Sequence, residues 1–215
     1  MNIIRMDKMN GKFITIEGID GSGKSTMSQR IVERIKERGY DVVLTREPGG
    51  TEVSELIRDI ILHNDIDSKT EVLLFAASRR EHVSKKIKPS LEKGIFVVCD
   101  RFLDSSIAYQ AYGRGLDMQD ILNINEYALD GLKPDVTLYF DVEVDRGLSR
   151  TQKRDDNNKL DKESVEFYEK IKTAYDDLYE LEPLRFRKVN ANAELADVEK
   201  EVDDLIERLF IEWKI

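Results

Sequence analysis

Apolar residues in this chain follow two patterns that take turns. Short runs rich in β-branched residues, "KFITIE" (12–17), "DVVLT" (41–45), "GIFVVCD" (94–100) and "DVTLYFD" (135–141), are near-continuously hydrophobic, as strands buried on both faces are. "FRKVNA" (186–191) is a weaker fifth run. Between them the period becomes helical. In "KSTMSQRIVERIKERG" the residues Met27, Ile31, Val32 and Ile35 share one stripe, Lys36 and Arg38 complement the carboxyl end, and Gly39 suits a left-handed cap. Further helices are predicted over 52–62, 70–93, 104–112, 118–130, 143–153, 163–180 and 194–213. Strands alternating with helices predict an α/β fold with a parallel sheet covered on both sides.

One segment interrupts this order. "RTQKRDDNNKLDKES" (150–164) is almost wholly polar and cannot pack. It reads as a solvated loop between helices, or as a flap able to fold over a charged ligand. There is no internal repeat or low-complexity linker, and 215 residues suit one domain spanning 1–215. With 40% hydrophobic and 36% charged residues the chain belongs among globular proteins. A net charge of −9 argues against nonspecific binding to nucleic acid or an anionic membrane, so any phosphate site must gather Arg and Lys locally. No run reaches the length of a membrane span. "MNIIRMDKMN" lacks the apolar stretch and cleavage site of a signal peptide, and Met6 and Met9 are alternative starts. Cys99 is the only cysteine, which leaves no internal disulfide; after "IFVV" it reads as a buried, inert thiol. These features point to a cytoplasmic protein.

Gly18-Ile19-Asp20-Gly21-Ser22-Gly23-Lys24-Ser25 fits the phosphate-loop pattern G-x-x-x-x-G-K-S/T, and Thr26 follows it into a helix. A strand precedes and an amphipathic helix follows, which the mechanism needs. Glycines let backbone N–H groups turn toward phosphate, and the helix amino terminus adds positive charge. Lys24 then reaches the β- and γ-phosphates, and Ser25 ligates Mg²⁺. This predicts ATP or a similar triphosphate as co-substrate and leaves the function open.

Three classes compete for such a loop. "NKLD" (158–161) matches a guanine-reading motif, but it lies in the polar segment rather than after a buried strand, and Asp100-Arg101-Phe102-Leu103 is not the D-x-x-G of a switch GTPase. An ATPase that uses water has no need of a second set of anion- and base-binding residues. That set is present: "TREPGGT" (45–51), "LLFAASRR" (73–80) and "DRFLDSSIAYQAYGRG" (100–115) all start near the carboxyl edge of the predicted sheet, where open α/β folds bind ligands. A kinase with a phosphoryl acceptor fits best. Phe75 and Tyr109 taken alone would also suit core packing, and Asp100 a helix cap.

The motifs "EGIDGSGKST", "TREPGGT", "LLFAASR", "DRFxxSxxAYQ" and "KPDVTLYFDV", in this order from about Lys12 onward, resemble the thymidylate kinase family, which makes dTDP from dTMP and ATP. The resemblance implies a five-stranded sheet of order 2-3-1-4-5, a requirement for Mg²⁺ and a homodimer. It implies that Phe75 stacks on thymine and Arg79 donates to its O4. Ser105 and Ser106 would lie at the thymine edge, and Tyr109 would crowd the sugar 2′ position. Arg101 would hold the dTMP phosphate, Glu47 would approach the acceptor beside a cis Glu47–Pro48 bond, Asp20 would contact the sugar 3′-OH, and Asp100 would reach Mg²⁺ through water. The polar segment, about 150–163, becomes a lid. Because position 21 is Gly, the catalytic arginine is expected from that lid: Arg154 foremost, with Arg150 and Lys153 as candidates, while Lys159 stands where relatives usually have Arg. The alternatives are a kinase of another deoxynucleoside or its monophosphate, and a phosphate-loop NTPase without an acceptor.

Overall fold

Each of the five apolar runs forms a strand: β1 (Phe13–Glu17), β2 (Val42–Arg46), β3 (Phe96–Asp100), β4 (Val136–Asp141) and β5 (Phe186–Asn190). The computed structural model describes residues 11–151 and 163–215. All pairings are parallel, and the strand order is β2-β3-β1-β4-β5. β5 carries the faintest pattern because three of its five residues, Arg187, Lys188 and Asn190, are polar and only Phe186 and Val189 are buried. The other edge strand, β2, is not buried on both faces as its apolar run predicts, since Val42, Val43 and Leu44 are half-buried.

Side chains alternate across the sheet. Ile14, Ile16, Val98, Val136 and Leu138 share one core with Met27, Ile31 and Ile35 of α1 (Lys24–Glu37) and with Val202, Ile206 and Leu209 of α9 (Leu195–Trp213). Fully burying such a side chain contributes about 1.5–3 kcal/mol. On the other face Phe13, Val97 and Cys99 pack with Val83, Ile87, Phe102 and Leu129. That face also carries polar residues toward the carboxyl edge: the Thr15 and Thr137 hydroxyls lie 2.8 Å apart, and Glu17 is fully buried.

The helix predicted over 70–93 differs from the structure in two ways. It starts earlier, as α3 (Ser68–His82), because the Asp67 carboxylate caps it by accepting from the Lys69 and Thr70 N–H groups at 3.0 and 2.9 Å. It then widens into a π-helical turn, Val83–Ile87, before α4 (Lys88–Glu92). Pro89 has no N–H to donate, and Lys88 N–H donates to the Val83 carbonyl instead. The region predicted as one helix over 104–112 is a short α5 (Leu103–Ser106) continuing into a π-helical segment, Ile107–Gly113. Five consecutive residues, Ile107 to Ala111, are buried there, more than one face of an α-helix permits. Helices α2 (Glu52–His63), α6 (Met118–Leu129), α7 (Val144–Thr151) and α8 (Val165–Leu181) match their predicted places. Among the described residues no helix is long and apolar enough to cross a membrane.

Candidate active site

The connection from β1 to α1 is the phosphate loop, with Gly18, Gly21 and Gly23 at φ of 141°, 77° and 90°. Gly21 is fixed by a close approach as well: a β-carbon there would sit 2.0 Å from the Gly147 carbonyl oxygen in α7. Lys24 folds its ammonium onto the loop, donating to the Gly18 and Ile19 carbonyls at 3.0 and 2.8 Å. Burial, and then the charge of Arg101, bring it down to about 8. Ile19 turns its side chain into the core, so only its backbone is available to a ligand. Ser25 and Thr26 are exposed at the mouth of the loop.

Ser25 Oγ donates to Asp100 Oδ2 at 3.3 Å, whereas Asp100 Oδ1 is buried without a hydrogen-bond partner among the described residues. An orphaned carboxylate oxygen beside a hydroxyl is an all-oxygen donor pair. It suits Mg²⁺, which takes one or two carboxylates and leaves its other positions to water and phosphate. No cluster of three or more His, Cys, Asp or Glu that could hold a metal occurs among the described residues.

Arg101 follows β3 in the left-handed region, with φ 71°. Its Nη2 donates to Asp20 at 2.7 Å and to the Tyr109 hydroxyl at 2.8 Å, and its Nη1 to the Gly18 carbonyl at 3.2 Å. Asp20 also accepts from the hydroxyls of Tyr109 at 3.0 Å and Tyr168 at 3.3 Å. Burial alone would raise the Asp20 carboxyl, but Arg101 and Lys24 outweigh it and hold it at about 2. Asp20 is therefore an anion tying the phosphate loop to Arg101.

Beyond Arg101 opens a cavity of about 110 Å³ lined by Phe75, Arg79, Phe102, Ser106, Tyr109 and Gln110. Arg79, 1% exposed, is clamped on every side. Nε donates to Glu47 at 2.7 Å, Nη2 to the Phe102 carbonyl at 2.9 Å, and Nη1 to Ser106 at 2.9 Å and to Asn125. One Nη2 hydrogen is left over from these bonds. Glu47 is locked from its other side by His82 Nδ1 at 3.0 Å, and the Glu47–Pro48 bond is cis. A larger cavity of about 560 Å³ over the phosphate loop shares Asp20, Glu47, Arg58 and Arg101 with the smaller one, so the two are continuous.

Of the residues named from sequence, the structure gathers Asp20, Glu47, Phe75, Arg79, Arg101, Ser105, Ser106 and Tyr109 around the small cavity. Lys24, Ser25 and Asp100 join Asp20, Glu47 and Arg101 around the large one. Ser105 is occupied differently from Ser106: its hydroxyl serves Glu17, Tyr175 and Arg101, whereas Ser106 serves Arg79. Arg150 donates to the Gly21 and Ala191 carbonyls and borders a separate cleft with Thr26 and Val198. Lys153, Arg154, Lys159 and the "NKLD" match lie outside the described residues. Cys99 is buried, and burial followed by nearby carboxylates raises its thiol well above its ordinary value, which leaves it inert.

Sequence reasoning missed Arg58, Gln110, Tyr175 and Glu17, and left Tyr168 unassigned at a helix start where the family resemblance puts an aromatic near the substrate. Gln110 stood in view inside "AYQ". Arg58 borders both cavities; burial and then the charge of Arg46 pull it below its ordinary value, as befits a guanidinium short of anions. Tyr168 and Tyr175 are seven residues apart in "YEKIKTAY", two turns along one face of α8.

Comparison with known proteins shows the family and agrees with the fold. The family model for thymidylate kinase matches residues 16–202. The chain belongs to the thymidylate kinase family. It is 44% identical over 204 residues to the thymidylate kinase of Bacillus licheniformis, covering 93% of this chain and 96% of that one. It is 45% identical over 197 residues to that of Clostridium novyi, covering 89% and 96%. The crystal structure of thymidylate kinase from Ehrlichia chaffeensis superposes with a TM-score of 0.75 at 38% identity, covering 92% of this chain and 99% of that one. The strand order β2-β3-β1-β4-β5 is the one that family resemblance implied.

Proposed function

We propose that this protein phosphorylates dTMP to dTDP at the expense of ATP. The observation that carries this reading is Arg101, which stands at the junction of a phosphate loop and a base-sized cavity and touches both. The acceptor phosphate oxygen forms a new bond to the γ-phosphorus while the bond from that phosphorus to the β,γ-bridging oxygen breaks, leaving ADP. No covalent enzyme intermediate is required, so the protein's work is positioning and charge neutralisation. Lys24 leaves the loop carbonyls for the β- and γ-phosphates of ATP. Arg101, with Arg58 close by, holds the acceptor phosphate. Phe75 offers a flat face to thymine, and the spare Nη2 hydrogen of Arg79 faces O4, where cytosine would present an opposing donor. Tyr109, fixed by Asp20 and Arg101, leaves little room for a 2′-hydroxyl. Mg²⁺, held through Ser25 and Asp100, would neutralise phosphate charge.

The rest of the reading follows the family. The whole chain acts as one kinase domain in the cytoplasm, with residues of about 150–163 as a lid that supplies Arg154. The cleft beside Arg150 suits the base of ATP. A homodimer is supported by an apolar stripe: Val53, Leu56 and Ile60 on α2 and Leu73 on α3 are 49, 62, 44 and 57% exposed. Leu56→Asp should then yield a monomer in sedimentation, and a wild-type monomer would refute the dimer. The decisive experiment is incubation with ATP, Mg²⁺ and a panel of monophosphates. ADP should form with dTMP far faster than with dCMP, dGMP or UMP; equal rates would reject the base assignment.

A further inference from the structure

Glu17 ends β1, one peptide before Gly18 of the phosphate loop, and its side chain is fully buried. A carboxylate in such a place is tolerated only when its oxygens are met by donors. Three meet it. The Phe102 backbone N–H donates to Oε1 at 2.7 Å, and the hydroxyls of Ser105 and Tyr175 donate to Oε2 at 2.6 and 2.8 Å. They come from the turn that carries Arg101, from α5 and from α8. Glu17 lines neither cavity of the reaction centre, so it has no ligand of its own to bind.

The turn it holds is strained. Arg101 adopts φ 71°, which a residue with a β-carbon rarely does. Both amides of the turn are spent on β1: Arg101 N–H goes to the Ile16 carbonyl at 2.9 Å and Phe102 N–H to the Glu17 side chain. The Arg101 guanidinium is steadied from the same hub, since Nη1 donates to Ser105 Oγ at 3.2 Å and Tyr175 Oη at 3.4 Å.

We infer that Glu17 is a positioning residue that, through the backbone of the Arg101 turn, registers Arg101, and with it the acceptor phosphate, against the phosphate loop. The inference rests on Arg101 as the ligand of the acceptor phosphate. The Glu17 backbone moves with the donor site and its carboxylate with the acceptor site. Drift of one relative to the other must break the bond to Phe102. In-line transfer needs reacting atoms held within about 3–3.5 Å, so loss of register lowers kcat as well as affinity for the phosphate.

The test compares Glu17→Gln with wild type in calorimetric binding of ATP, dTMP and thymidine, and in turnover. Gln keeps an oxygen for Phe102 N–H and replaces the second oxygen with a donor. Thymidine lacks the phosphate and reports the base cavity alone. ATP and thymidine affinities should stay within about threefold, while dTMP affinity and kcat each fall by about tenfold or more. In an Arg101→Ala background the same substitution should add less than about twofold, because its target is gone. Equal weakening of dTMP and thymidine, no weakening of either, or effects that multiply with Arg101→Ala would each overturn the inference. If Glu17→Gln does not fold, Tyr175→Phe removes one hub donor and keeps the ring, and the same pattern decides. Wild-type protein that binds dTMP no better than thymidine would instead remove the Arg101 assignment beneath it.

Discussion

The donor and acceptor halves of the proposed reaction centre are built by opposite means. The donor half is local: Lys24 reaches Gly18, Ile19 and Ser22, all within six residues, and Gly18, Gly21 and Gly23 give the loop the backbone freedom to turn N–H groups toward phosphate. The acceptor half is assembled across the chain. Arg101 reaches Asp20, 81 positions away, and Tyr175, 74 positions away, and Arg79 joins Glu47, Phe102, Ser106 and Asn125. A triphosphate is gripped by peptide groups that a short stretch can supply. A particular monophosphate is read by side chains whose directions depend on the whole fold. The donor site should therefore tolerate damage to the acceptor network.

The sharpest challenge to that separation is a reciprocal pair of substitutions. Arg101→Ala should cost about 10³-fold or more in kcat/KM, the scale of removing an arginine that neutralises phosphoryl charge. Its ATP affinity, measured by calorimetry, should stay within about threefold. Lys24→Ala should lose activity on the same scale but through ATP, with dTMP binding retained. If Arg101→Ala weakens ATP as much as dTMP, the halves are one site and the comparison fails.

The same contrast governs what the sequence discloses. The fold is legible because the central strands β1, β3 and β4 are buried on both faces and β2, half-buried at one edge, keeps an apolar run. All five match within two residues, and β5 is faint because Arg187, Lys188 and Asn190 interrupt its apolar positions. The phosphate loop is legible as one contiguous string. The acceptor half is not, except through family resemblance. Tyr168 lies in "KLDKESVEFYEKI", which an ordinary amphipathic helix explains equally well. Its contact with Asp20, 148 positions away, is what singles it out. Glu17 reads as a polar residue closing a strand, and its partners lie 85, 88 and 158 positions away. The π-helical segment Ile107–Gly113, which turns both Tyr109 and Gln110 toward the cavity, leaves no mark in local periodicity.

A second, smaller effect tests whether the acceptor side chains act together. Arg79→Lys keeps the charge but cannot satisfy Glu47, Phe102, Ser106 and Asn125 at once. Hydrogen bonds to charged groups are worth about 1.5–3 kcal/mol, so KM for dTMP should rise about 10–150-fold. Glu47→Gln combined with Arg79→Lys should cost little more than either alone, as expected for partners in contact. Additive effects would mean that Glu47 does not act through Arg79.

Tyr109 is a milder case within the same half. Its hydroxyl bridges Asp20 and Arg101, and Tyr109→Phe should lower turnover by about 2–12-fold, the value of one ordinary hydrogen bond. Tyr109→Ala should let UMP and other ribonucleotides compete better in the monophosphate panel. An unchanged sugar preference would reduce Tyr109 to a packing residue.

Glu17, like Asp20, belongs to both halves, and its ionisation gives the smallest predicted effect. Burial, then the charge of Asp104, push its carboxyl up from 4.5 to about 7, against the opposing pull of Ser105, Arg101 and Tyr175. Asp104 is itself held by Arg185 at 2.7 Å. Because the folded value lies above the unfolded one, the folded state keeps the proton longer. The associated stability is complete below about 4.5 and is lost as pH rises through about 7. Between pH 6 and 8 wild type should lose on the order of 1 kcal/mol relative to Glu17→Gln, about 2–4 °C in Tm. Thermal melts of both proteins across this range measure the slope directly. Parallel slopes would mean that Glu17 stays ionised throughout, leaving Arg101 with a permanent counter-charge on the donor strand and making the two halves more tightly joined than their geometry implies.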